Sequence, residues 1–211
     1  MQSPAGKTAL VTGASRGIGR AIATRLAAQG VKVVVGYVTN EDKALTVVRD
    51  IEDAGGVAMA IGADQSRVPE VARLFDEAEA ALGGSIDIVV ANAADAIVKP
   101  VLQCTEEDFD RIFDTNTKGV FFLLHQAAGR LPDGGRIVVT STAQSSIGAA
   151  PCRFNAQTPR SGAVARLSSR PGPHNDHAKN RRPPSKTRPT PERPGAGTRR
   201  RTRPGSCRPR G

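Results

Sequence analysis

The residues with the plainest chemical meaning lie near the amino terminus. Thr12-Gly13-Ala14-Ser15-Arg16-Gly17-Ile18-Gly19 packs three glycines into seven positions directly after an apolar run. Glycines at such spacing let the backbone turn sharply and come close to a phosphate. A helix that starts there aims unpaired N–H groups and its positive dipole end at an anion. The implied chemistry is capture of a pyrophosphate by main-chain donors, with the Arg16 guanidinium at hand for a further phosphate. Further along stand Asp64-Gln65, Asn92-Ala93-Ala94, Asn116-Thr117-Lys118-Gly119 and Ser141-Thr142, polar groups at the ends of apolar runs.

Those groups need elements to bring them together. Short β-branched runs predict strands at Thr8–Thr12, Val31–Tyr37, Val57–Ala63, Ile86–Ala91 and Arg136–Ser141. They are continuously apolar rather than alternating, as strands covered on both faces should be. Between them the spacing predicts helices over Gly17–Gln29, Glu41–Ala54, Val68–Leu82 and a long one from Glu106 towards Leu131. Gly30 and Gly55-Gly56 are placed to stop the first two, and Asn40 to cap the second. Thr105 followed by Asp108 gives a start resembling a capping box. Strands alternating with helices predict an α/β fold with a doubly wound, Rossmann-type parallel sheet, whose crossovers are right-handed.

The glycine motif reads Gly-x-x-x-Gly-Ile-Gly, and in that form it resembles the short-chain dehydrogenase/reductase family, most closely ketoacyl-carrier-protein and polyhydroxynaphthalene-type reductases. The resemblance covers about residues 5–150. It implies that Gly13, Ser15, Arg16, Gly17, Ile18 and Gly19 bind the pyrophosphate and 2′-phosphate of a dinucleotide. It implies that Asp64, with Gln65 beside it, takes the adenine, and that Asn92 and Ala93 sit by the nicotinamide ribose. Ala94 stands where the family's motif has glycine. Asn116 matches the asparagine of the proton relay, and Ser141 or Thr142, one register apart, matches the catalytic serine. The implied reaction is NADPH-dependent reduction of a small carbonyl compound from ketone to alcohol. Charge supports the phosphorylated cofactor: Tyr37-Val38-Thr39-Asn40 offers no carboxylate to a ribose 2′-hydroxyl, and the first acid is Glu41.

The pattern then breaks. The family's chemistry needs a tyrosine to protonate the carbonyl oxygen and, four residues on, a lysine to lower that tyrosine's pKa. The one tyrosine of the chain is Tyr37, in the second predicted strand; Phe154 and Thr158 stand where the pair is expected. Neither can replace the missing hydroxyl and ammonium.

Composition changes at the same place. Residues 1–150 carry 14 basic and 18 acidic side chains, and residues 151–211 carry 16 and 2. The large apolar residues of the second segment are Phe154, Val164 and Leu167, against 45 in the first, and it holds 11 prolines. Residues 1–150 can bury a core; residues 151–211 are expected to be a disordered Arg/Pro/Gly-rich tail. Two readings of the tail stand side by side. It is a basic appendage able to bind nucleic acid through its cations, or the product of a reading-frame change in GC-rich DNA. Its Arg, Pro, Gly, Ser and Ala content, and a switch that falls inside a motif, favour the second. The family is usually homo-oligomeric through a helix pair, of which this chain supplies half. An uncovered sheet edge and uncovered helix faces are therefore expected, and with them marginal stability.

Other classes are excluded. No apolar run approaches the roughly 20 residues that span a bilayer, and the first residues lack the apolar stretch of a signal peptide. Cys104, Cys152 and Cys207 are odd in number and have no metal-ligand spacing; a reducing cytoplasm is the expected compartment. His125 reads as a packing or surface residue, Asp95 as a loop-capping carboxylate and Cys104 as structural.

Overall fold

Each apolar run divides its side chains between two faces of one sheet. The computed structural model describes residues 3–141 and the backbone of a strand at 164–166. Strands β1 (Thr8–Val11), β2 (Lys32–Tyr37), β3 (Val57–Gly62), β4 (Ile88–Ala91) and β5 (Arg136–Val139) are parallel, and β6 (Val164–Arg166) is antiparallel at the edge; the order is β3-β2-β1-β4-β5-β6. In β1 and β2, Ala9, Val11, Val33 and Val35 face helices α1 (Gly17–Ala27) and α2 (Glu41–Asp53). Their neighbours Leu10 and Val34 face α3 (Val68–Leu82) and the end of the long helix. Burial on both faces is what selected the unbroken valine and isoleucine runs. The five expected parallel strands are present, each a residue or two shorter than its apolar run. The sixth corrects the expectation of an uncovered sheet edge: β6 lies along β5 and pairs Arg136 with Arg166 and Val138 with Val164. The rest of the expected tail lies outside the described residues.

The helix ends follow local chemistry, with one exception. Gly55 has φ +79°, its N–H donates to the Glu52 carbonyl, and the Gly56 N–H donates to that of Ile51; this pairing closes α2 through a left-handed residue. Thr105 and Asp108 form a full capping box at the start of α4 (Glu106–Phe113), with Thr105 N donating to Asp108 Oδ2 at 2.9 Å. A Lys99 ion pair on the same carboxylate holds its pKa down at about 2. Asn40 sits at the N-cap of α2, yet its side chain makes no capping bond.

The expected long helix runs unbroken from Glu106 to Arg130, with one widened turn inside it. It comprises α4, a π-helical turn at Asp114–Gly119 and α5 (Val120–Arg130). Such widened turns collect at functional sites, and this one contains Asn116. Its fit has a visible cause: a Cβ on Gly119 would lie 2.4 Å from the Gln65 carbonyl oxygen. The helix therefore meets the end of β3 backbone to backbone.

Phe75 of α3 is wholly buried, and the Arg130 guanidinium lies 5.7 Å from its ring centroid while pairing with Asp76 at 2.6 Å. These contacts bind α5 to α3. Among the described residues, no helix is long and apolar enough to cross a membrane. Replacing Phe75 by Ala should lower unfolding free energy by about 3–5 kcal/mol, read from the midpoint of chemical denaturation.

Candidate functional site

The strand order reverses direction between β1 and β4, and a cleft opens there at the carboxyl ends of the parallel strands, the usual place for a ligand in such sheets. Its volume is about 740 Å³. Gly13, Ser15, Arg16, Gly17 and Ile18 form one wall, and Tyr37 to Asn40 the next. Asp64 to Ser66 and Asn92 to Asp95 follow, and Arg111 and Thr115 close it from the long helix.

The glycine turn is built by close approach. Gly13 has φ +63°, and a Cβ on it would lie 2.8 Å from Ala93 Cα. Gly19 lies behind the cleft wall; a Cβ there would fall 2.4 Å from Gly13 O and 2.6 Å from Asn92 Nδ2. Larger residues would push the turn and the end of β4 apart. Arg16 occupies the N-cap of α1 without a side-chain cap, and the first turn of α1 carries no acid. The positive end of the helix therefore faces the cleft without a carboxylate of its own.

Polar bonds tie that turn to β4. Thr12 Oγ1 accepts from Asn92 N at 3.1 Å and from Ala93 N at 3.0 Å, and Asn92 Nδ2 donates to Thr12 O at 3.0 Å. Thr140, just after β5, donates from its N–H to Ala91 O at 3.0 Å. Ser141 follows it, half-buried. Thr142, Phe154 and Thr158 lie outside the described residues.

The asparagine of the long helix faces the loop after β4. Asn116 is buried; its Oδ1 accepts from Asp95 N and its Nδ2 donates to Asp95 O, both at 2.8 Å. The Asp95 carboxylate accepts from Ala96 N at 2.8 Å and pairs with Arg111 at 2.8 Å. It caps its loop as expected, and it also joins that loop to α4. Gln65 is buried, and its Nε2 donates to the carbonyls of Ala93 and Thr115, each at 2.9 Å. Asp64 Oδ1 accepts from Ser66 N at 2.9 Å.

Tyr37 is held at the other end. Its ring lies against Gly62, within 3.1–3.3 Å of where a Cβ would be. Burial, and then a hydrogen bond with Glu41, raise its pKa above the ordinary phenol value. His125 is exposed beside Phe122, away from the cleft lining. Among the described residues, no group of His, Cys, Asp and Glu could hold a metal ion.

The structure thus collects Gly13, Ser15, Arg16, Gly17, Ile18, Asp64, Gln65, Asn92 and Ala93 around one cleft, with Gly19 packed behind it and Asn116 beside it. Sequence reasoning gave no role to Thr12, Thr140, Gly119 or the Asp95–Arg111 pair. Thr12 left a trace, a hydroxyl at the end of an otherwise apolar strand; the others depend on contacts across more than 15 positions of chain.

Residues 7–153 match the family model for short chain dehydrogenases. The chain belongs to that family. It is 47% identical over 150 residues to a hydroxynaphthalene reductase-like protein, Arp2, of Metarhizium brunneum, covering 71% of this chain and 56% of that protein. A short-chain dehydrogenase/reductase of Pestalotiopsis microspora is 45% identical over 137 residues, 65% of this chain and 51% of the other. The chain therefore spans about half the length of the curated relatives it matches. Among solved structures, a Burkholderia cenocepacia short chain dehydrogenase in complex with NADP superposes with TM-score 0.66 at 39% identity, covering 69% of this chain and 59% of that one. A blue fluorescent protein from a metagenomic library, in complex with NADPH, gives 0.65 at 34% identity, with 70% and 60% covered.

Because Thr12 Oγ1 is the acceptor for both Asn92 N and Ala93 N, Thr12→Val should leave two part-buried amides unpaired. A loss of about 2–4 kcal/mol in unfolding free energy is expected by urea denaturation, from about 1–2 per orphaned group.

Proposed function

We propose that residues 1–150 form an NADP(H)-binding domain and that the chemistry of its lineage is reduction of a small ketone to an alcohol. What carries this reading is the charge around the cleft: Arg16 lines it, and Tyr37 to Asn40 line the facing wall without a carboxylate. A 2′-phosphate is attracted there, where an acid would repel it. The contacts at Gly13 and Gly19 leave the close backbone surface that a pyrophosphate needs. Two similar solved structures are complexes with NADP and NADPH.

In this reading Gly13, Ser15, Gly17 and Ile18 hold the pyrophosphate with Gly19 packed behind them, Arg16 holds the 2′-phosphate, Asp64 the adenine end, and Asn92 and Ala93 the nicotinamide ribose. NADPH supplies a hydride when bound. Asn116 holds the loop after β4 through both the oxygen and the nitrogen of its side-chain amide, and Ser141 or Thr142 would donate to the substrate carbonyl oxygen as charge develops on it. The proton remains unaccounted for. Tyr37 is the one tyrosine of the sequence, and it lies on β2, three strand spacings, or about 14 Å, from β5, which leads to Ser141. Its raised pKa makes it a poorer donor still. The chain as written therefore reads as a cofactor binder with the family's proton donor missing; a cytoplasmic setting and small carbonyl ligands go with that reading.

Fluorescence titration should show NADPH binding at least about tenfold more tightly than NADH, and Arg16→Ala should remove most of that preference while leaving NADH binding within about twofold. Equal affinity of the unaltered chain for both would overturn the assignment of Arg16. NADPH oxidation with small ketones should stay at background. The double substitution Phe154→Tyr with Thr158→Lys should restore little of it, since Pro151 and Pro159 flank the pair and proline disfavours the helix it would need. A large recovery of turnover in that variant would show that the two side chains are all that is lacking.

A further inference from the structure

The buried polar residues among those described are Thr12, Gln65 and Asn116. Thr12 joins the loop after β4 to β1, and Asn116 joins the same loop to the π turn. Gln65 does something neither of them does. From the end of β3, a single side-chain amide nitrogen reaches Ala93 O in that loop and Thr115 O in the π turn, both at 2.9 Å. Two carbonyl acceptors fix which end of the amide is nitrogen, because an oxygen there would face two oxygens. Gln65 Oε1 is then buried with no partner. Most buried side-chain polar atoms are paired, so the two Nε2 bonds are what hold this amide in place. The main chain of the same residue presses on the same turn, through the Gln65 carbonyl that Gly119 leaves room for.

We propose that Gln65 is a positioning residue that clamps the Asn92–Asp95 loop and the Asp114–Gly119 π turn into one body. The inference rests on the cofactor reading above, since that loop is where the nicotinamide ribose would lie. An aliphatic side chain of similar length would fill the space and take the Gln65 donor away from both carbonyls. Asn116, bonded to the loop from the turn's side, would keep its own two bonds but lose the third anchor that sets the spacing between the two segments.

The test uses the full chain with two substitutions, Gln65→Leu and Gln65→Glu, and two readouts, amide hydrogen exchange and NADPH titration. In Gln65→Leu, exchange should quicken about tenfold or more over residues 93–96 and 114–119 together, with residues 17–53 unchanged, and NADPH affinity should fall about tenfold. Gln65→Glu supplies a readout that packing alone would not move. At about pH 8 its carboxylate faces two carbonyls and the clamp opens; a buried carboxyl protonates easily, and near about pH 5.5 it regains one donor. Exchange protection and NADPH affinity, each relative to the unaltered chain at the same pH, should therefore recover on acidification. The charged groups around this position are Asp64 and Glu70 at the β3 end, Asp95 and Arg111 across the cleft, and Asp114 and Lys118 in the turn. All are present in the unaltered chain, which cancels their own titration.

Loosening of one segment without the other in folded Gln65→Leu would overturn the proposal, as would unchanged exchange in both, or a Gln65→Glu profile that tracks the unaltered chain at every pH. If Gln65→Leu does not fold, the Gln65→Glu profile decides alone. Failure of the unaltered chain to bind NADPH would remove the cofactor reading, and the exchange measurements would still decide the clamp.

Discussion

The first glycine turn and the end of β4 are in contact at the limit of what backbone atoms allow. A side chain on Gly13 would overlap Ala93, and one on Gly19 would overlap Gly13 and Asn92. Bare contact is weak; Thr12 makes it definite by accepting from Asn92 and Ala93 with one hydroxyl while the Asn92 amide returns a bond to Thr12. Everything around the cleft is arranged from that closure. It sets where α1 begins, so that its uncapped end meets the cleft, and it sets where the chain leaves β4.

The loop after β4 is the next dependent part. It is fixed to β1 by Thr12, to the long helix by Asn116 and Arg111, and to the end of β3 by Gln65. Buried polar groups are costly unless paired, and here they are concentrated where three elements converge, while the rest of the interior among the described residues is aliphatic apart from Phe75. The core makes the sheet rigid; the polar set makes one end of it specific. The outer side of α4 and α5 is different in kind, with Phe109 and Phe121 about half exposed or more, and Leu102 wholly exposed in the turn that precedes them.

Much of this was legible in the residues. The strands are legible because a buried parallel strand must be apolar on both faces, and the Val33-Val34-Val35 run can hardly be anything else. The capping box at Thr105 and the left-handed stop at Gly55 are local contracts between residues a few positions apart. Asn40 shows where that kind of reading fails: the residue type fits an N-cap, but the hydrogen bond depends on backbone angles that the β2 exit imposes. The π turn is hidden for a longer-range reason. The run from Glu106 to Leu131 reads as one helix and is one, but the contact its widened turn makes with the Gln65 carbonyl, more than 50 positions from Gly119, lies between distant segments.

The sequence by itself determined the element types, the two-sided core and the chemical character of the cleft, because periodicity, glycine spacing and the absence of a carboxylate at Tyr37–Asn40 are properties of neighbouring residues. It also determined that the one tyrosine sits in β2. Tertiary structure decided which polar groups meet. Gln65 reads as a residue for the adenine; the fold instead turns its side chain inward, to the carbonyls of Ala93 and Thr115, because those two acceptors arrive from β4 and the long helix within reach of one amide. Asp95 became a link to Arg111 for the same reason. Partners in a hydrogen bond are chosen by distance in space, and distance in space is what a linear pattern does not carry.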